Sequence, residues 1–131
     1  MEFQIQIIGL LLMALGLVHV IFPKYFNWKE ELKTLSLINK EMMIIHTFFI
    51  ALMVFLMGLL CVSSAEELTE TILGKRISLG LGIFWAFRLL IQFFGYSSAL
   101  WKGKKLETTI HIVFTGFWAY LSLVFLIVYI N

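Results

Sequence analysis

Four long apolar runs separated by short polar stretches dominate the chain, over residues 3–22, 42–62, 77–100 and 110–130. About 20 mostly apolar residues are enough to cross the hydrocarbon core of a bilayer as a helix. None of the four runs alternates with the two-residue period of a strand. Backbone groups in lipid must find their hydrogen bonds within their own segment, so each run predicts a helix. The expectation is an all-α protein, a four-transmembrane-helix bundle forming one integral membrane domain over 1–131. Pro23 is expected to close the first helix, because proline cannot continue the hydrogen-bond ladder. Ser63 and Ser64 are expected to end the second, and the capping-box spacing of Ser64 and Glu67 predicts a helical turn directly afterwards. Between the first two spans Trp28, Leu32, Leu35 and Ile38 recur at helical spacing, with Lys29, Glu30, Lys33 and Thr34 elsewhere on the wheel. That pattern predicts a short interfacial amphipathic helix anchored by Trp28.

Composition supports lipid as the solvent. The chain is 61% hydrophobic and only 14% charged, against about one-quarter charged in ordinary soluble domains. The basic residues lie in short connections rather than on one face, so nucleic acid is not an expected partner. Four lysines (Lys24, Lys29, Lys33, Lys40) fall in the first connection and three (Lys102, Lys104, Lys105) in the third. Only Lys75 and Arg76 fall in the second. Taking the membrane to be a bacterial inner membrane, the positive-inside rule then predicts loops 23–41 and 101–106 in the cytoplasm and both termini outside. Tyr25, Phe26, Trp28, Tyr96 and Trp101 would form the aromatic belt on that side. The first apolar run lacks a basic leader and a small-residue cleavage site, so it is expected to stay as an anchor. The single cysteine, Cys61, allows no internal disulfide and reads as a small apolar residue.

Ionisable groups inside a span are costly, which makes each a candidate for function. Four occur: His19, His46, Arg88 and His111. At 1.5 Å per residue each histidine lies roughly 6–9 Å from the cytoplasmic surface, so three spans bring an imidazole to one level. Two histidines at matched depth suit a haem b, with His46 and His111 the preferred pair and His19 third. All three together suit a transition metal ion such as zinc or copper. Glu107, one turn before His111, is placed to orient it. The structural alternative is that each histidine simply bonds across helices. Met42, Met53 and Met57 on the second span are soft ligands in principle and adaptable packing in practice.

The third span adds Arg88, Gln92 and Tyr96 at i, i+4 and i+8, a single stripe of cofactor-binding type. All eight acids are glutamates at positions 2, 30, 31, 41, 66, 67, 70 and 107, and none sits mid-span. Arg88 must therefore turn to helix carbonyls, to water, or to an external acceptor such as a haem propionate, a lipid phosphate or a quinone oxygen. No HExxH, CxxC, di-iron histidine set, phosphate loop or mid-membrane carboxylate is present, so no catalytic or ion-pumping motif is identified. Gly9 and Gly16 on the first span, and Gly74, Ser78, Gly80, Gly82 and Ala86 on the third, offer small faces for close helix contact. They keep open a second reading, a non-catalytic subunit or assembly factor of a larger membrane complex, and equally a homo-oligomer. A third reading is a lipid- or quinone-binding protein, with the head group near Arg88, Gln92 and Tyr96.

The stretch 22–32 (Phe22, Pro23, Lys24, Tyr25, Phe26, Asn27, Trp28, Lys29, Glu30, Glu31, Leu32), continuing through Asn39 to His46, resembles a group of small four-span bacterial membrane proteins. So does Phe84, Trp85, Ala86, Phe87, Arg88, Leu89, Leu90, Ile91, Gln92, Phe93, Phe94, Gly95, Tyr96. The resemblance implies the four-span fold and attaches no activity.

Overall fold

The structure is a computed structural model describing Met1–Asn131, built of helices and turns without a strand. Its α-helices are α1 (Glu2–Val18), α2 (Phe22–Tyr25), α3 (Trp28–Glu31), α4 (Leu37–Ser63), α5 (Ala65–Glu70), α6 (Ile72–Phe94) and α7 (Lys105–Ile130). Four stretches are long and apolar enough to cross a membrane: Glu2–Tyr25, Leu37–Ser63, Ile72–Phe94 and Lys105–Ile130. The chain is an all-α integral membrane protein with four spanning helices. Its surface agrees, since side chains as apolar as Phe94 and Ile72 are 83% and 76% exposed. In water such a surface would drive aggregation, whereas in hydrocarbon it is solvated.

The helices extend beyond the apolar runs that announce them. The second, third and fourth spans begin at Leu37, Ile72 and Lys105 rather than at 42, 77 and 110. Hydropathy marks only the part inside hydrocarbon, while a helix begins where its first amides find acceptors. Ser36 accepts from the Asn39 amide ahead of α4, and Thr71 accepts from the Gly74 amide ahead of α6. These caps stand in the polar connections.

The chain forms two compact units, Gln6–Ala65 and Met1–Ile5 with Glu66–Asn131. In the first, α1 and α4 run antiparallel with their backbones in contact. A Cβ added at Gly9 would lie 2.6 Å from Val62 Cγ2 and 2.7 Å from the Gly58 carbonyl, and one at Gly58 would lie 2.5 Å from the Gly9 carbonyl. Further along, Gly16 meets Ala51 and Phe55. Dispersion rather than the hydrophobic effect holds helices together in lipid, so this approach is what joins the pair.

Pro23 does not close the first span. It loosens the span four residues earlier. Proline has no N–H to offer the His19 carbonyl, which instead accepts from the Phe22 amide. The result is a tighter 3₁₀ turn over His19–Ile21, after which α2 carries Pro23 in its first turn. The interfacial helix is also shorter than the pattern predicts. Asn27 takes the left-handed conformation (φ 54°, ψ 48°) and α3 lasts one turn. The apolar stripe is divided: Leu32 is buried at the end of α3, while Ile38 is exposed and already belongs to α4. The Ser36 cap is the reason, because it starts a new helix inside the expected one.

In the second unit α5 packs on the start of α6. Gly74 has no room for a Cβ against the Glu67 carbonyl, and the buried Ser78 hydroxyl donates to the Leu68 carbonyl at 3.2 Å. The turn expected after Ser64 is α5. Further on, α6 and α7 run antiparallel in steady register. Ser122 donates to the Gly82 carbonyl at 3.4 Å, Trp85 stacks on Trp118 with ring centres 5.2 Å apart, and Gln92 meets His111. Tyr120 donates to Gln4 and ties the first residues of the chain to α7. Cys61, in the other unit, is buried as a small apolar residue.

A polar cluster at one end of α6 and α7

Helical spacing puts Arg88 and Gln92 on one face of α6, and Tyr96, two residues past the end of that helix, joins them through Arg88. One guanidinium nitrogen of Arg88 donates to Gln92 Oε1 at 3.2 Å and the other to the Tyr96 hydroxyl at 3.5 Å. The guanidinium carbon sits 4.8 Å above the Trp118 ring and 5.4 Å from the Tyr96 ring centre. Such cation–π contacts strengthen when desolvated. Gln92 is buried and central. Its Oε1 also accepts from Trp118 Nε1 at 3.2 Å, and its Nε2 lies 2.8 Å from His111 Nδ1. From outside, Trp101 stacks on His111 with ring centres 3.9 Å apart and planes 9° from parallel. The Trp101 carbonyl is held in turn by the Thr108 hydroxyl.

These contacts fix the protons. Arg and Trp can only donate, so the atom facing both must be the oxygen of the Gln92 amide, and the NH₂ must face His111. His111 Nδ1 therefore accepts, and in the neutral ring the proton sits on Nε2. This works against His111 as a metal ligand. Ligation through Nε2 needs the proton moved to Nδ1, where it would confront the N–H groups of Gln92. The carboxylate of Glu107, expected to orient His111, makes no hydrogen bond or ion pair. Gln92 takes that role because it is held from behind by Arg88 and Trp118, whereas Glu107 is exposed near the start of α7. Thr115, also on the His111 stripe, spends its hydroxyl on the His111 carbonyl at 2.7 Å.

The other two histidines belong to the Gln6–Ala65 unit. Each bonds the carbonyl four residues back through Nδ1: His19 to Leu15 at 2.8 Å and His46 to Met42 at 2.7 Å. A carbonyl only accepts, so here Nδ1 carries the proton and Nε2 keeps its lone pair. His19 is half-buried and stacks obliquely near Phe22. His46 is exposed, off the α4 face where Ala51, Val54 and Gly58 are buried. No three His, Cys, Asp or Glu side chains are grouped so as to hold a metal ion. Met42 and Met53 are exposed and Met57 half-buried.

Two features decide what the α6–α7 cluster can do. Arg88 is half-buried and has no carboxylate partner; the chain's ion pair joins exposed Lys33 and Glu30. Free hydrogen-bonding capacity here is mostly donor capacity: unused guanidinium N–H groups, His111 Nε2–H, and the Tyr96 proton left when its oxygen accepts from Arg88. Trp85, behind Trp118 and 2% exposed, has an indole N–H without any partner. Trp85 and Trp118 are the members the sequence reading missed. Trp118 lies seven residues after His111 and therefore on its face, a signal that was present. No protein family, no curated protein and no solved structure matches this chain.

Proposed function

We propose that the protein binds a membrane amphiphile whose oxygen-rich head sits at Arg88, Gln92, Tyr96 and His111. The observation that carries this reading is a half-buried guanidinium, without a carboxylate, in a cluster whose free groups mostly donate. An arginine within a membrane helix is costly, and its acceptors here, Gln92 and Tyr96, are neutral and leave its charge unbalanced. Arg88 stands six residues before Phe94, the end of α6. At 1.5 Å per residue that is about 9 Å of depth, and bonding to Tyr96 draws the guanidinium toward the interface. That is where the head of a lipid or quinone resides. In the orientation favoured by the basic loops, this end of α6 and α7 faces the cytoplasmic leaflet of a bacterial inner membrane. The test is the lipid extract of protein purified in mild detergent. Arg88→Leu should lose a co-purifying amphiphile that the unaltered protein retains, and an identical extract would refute the proposal.

A second reading draws on His19 and His46. Both keep Nε2 unprotonated, the tautomer that ligates haem iron or a transition metal ion. A visible absorption spectrum with metal analysis tests it. A Soret band or bound metal lost in both His19→Ala and His46→Ala supports it, and a colourless, metal-free folded protein refutes it.

A further inference from the structure

Resting on the amphiphile reading, we infer that the bound head group is a net-negative phosphate, the acidic head of a phospholipid, recognised by Arg88 below and by Lys102, Lys104 and Lys105 above. Charge balance separates this from a neutral ligand. A quinone carbonyl or a neutral lipid ester could accept from Tyr96 and His111, but it would leave the Arg88 charge uncompensated in a medium that stabilises bare charge poorly. The chain has declined to compensate that charge itself. The residue one turn from Arg88 and bonded to it is Gln92, a neutral amide, where glutamate would have made an internal ion pair. The amide is locked with its oxygen toward Arg88 and Trp118 and its nitrogen toward His111. Electrostatically the cluster is a cation held open.

The number of donors fits a phosphate. Of the five N–H bonds of a guanidinium, hydrogen bonds to Gln92 and Tyr96 occupy one on each terminal nitrogen. The rest form the fork that takes phosphate oxygens in bidentate fashion. His111 Nε2–H and the Tyr96 hydroxyl proton add two more donors. The lysines complete the site from the membrane surface. Trp101, seated on His111, is followed directly by Lys102, and exposed Lys104 and Lys105 lead into α7. Basic residues at this height are drawn to an acidic leaflet.

Native mass spectrometry of the full chain, released from nanodiscs of equal phosphatidylglycerol and phosphatidylcholine with identical acyl chains, tests the inference; ubiquinone and inorganic phosphate form separate arms. The unaltered protein should retain phosphatidylglycerol over phosphatidylcholine by on the order of tenfold. Gln92→Glu supplies the missing counter-ion and should abolish that preference while keeping the far-UV dichroism and melting of the unaltered protein. Displacement of the acidic lipid by millimolar inorganic phosphate would support phosphate recognition with a soluble source, and persistence of the lipid would support a lipid source. Equal retention of the two phospholipids, or ubiquinone held in preference to both, would overturn the acidic-phosphate inference and leave the amphiphile reading standing. Retention of no lipid or quinone at all, or retention unaltered by Arg88→Gln, would overturn both.

Discussion

Replacing Gln92 by leucine removes three hydrogen bonds at once and leaves three polar groups facing an apolar side chain: Arg88, Trp118 Nε1 and His111 Nδ1. Side-chain hydrogen bonds between membrane helices average about 0.6 kcal/mol by double-mutant cycle, which gives roughly 1 kcal/mol for the two that reach α7, and the Arg88 bond within α6 adds about 0.5–1.5 kcal/mol. Trp118 is 5% exposed, so its stranded N–H adds a desolvation penalty of about 1–3 kcal/mol. Leucine recovers part of this through its own apolar surface. The expected destabilisation of Gln92→Leu is therefore about 2–4 kcal/mol. Gln92→Glu makes the contrast. Its oxygens still accept from Arg88 and Trp118, and the His111 proton can move to Nδ1 and donate to the second oxygen. All three contacts persist and one becomes an ion pair, so its stability should fall within about 1 kcal/mol of the unaltered protein. Reversible unfolding in mixed micelles of mild detergent and dodecyl sulfate, followed by far-UV dichroism, measures both variants. If Gln92→Leu proved as stable as the unaltered protein, or Gln92→Glu as damaging as Gln92→Leu, the network described for Gln92 would be wrong.

Trp85→Phe should be close to neutral for stability in the same assay: it gives up part of the stack on Trp118 but removes an unpartnered buried N–H worth about 1–3 kcal/mol. Gly9→Val and Gly58→Val should each cost about 1–3 kcal/mol by forcing α1 from α4. Gly116→Ala meets nothing within 4 Å and should gain up to about 1 kcal/mol of helix propensity. Pro23→Ala restores a donor to the His19 carbonyl and should convert the 3₁₀ turn to α-helix. Amide hydrogen exchange should then show a slowly exchanging proton at position 23, and fast exchange there would contradict the account of that turn.

The four spans were readable because lipid imposes a single strong requirement, a long apolar segment with internal hydrogen bonds. Their ends were not, since Ser36 and Thr71 cap from polar connections that hydropathy discounts. The same cap at Ser36 cut short the expected helix around Trp28. For the site, the i, i+4 spacing of Arg88 and Gln92 was enough to place those two together, while Tyr96 lies past the end of α6 and meets Arg88 from the turn that follows. Depth along the chain was a weaker guide to the histidines. It gives height without azimuth, so nothing in the order of residues said that His46 stands off the buried face of α4. Nor could it say which proton His111 carries, because that depends on Gln92 being pinned by Arg88 and Trp118. Glu107 was expected to orient His111 because it is a carboxylate one turn away on the same stripe. Gln92 prevailed because antiparallel register brings α6 level with His111.

The proposed contact between Arg88 and the head of a bound lipid is open to direct measurement. The chain has two arginines, Arg76 and Arg88, so an Arg76→Lys variant grown on ¹⁵N-arginine carries its guanidinium label at Arg88 alone. Solid-state NMR of that protein in phosphatidylglycerol bilayers reads ¹⁵N–³¹P dipolar dephasing. Clear dephasing of the Arg88 guanidinium by lipid phosphorus is expected, lost on substitution of a phosphorus-free acidic lipid. A guanidinium signal that phosphorus leaves untouched would contradict the proposed contact.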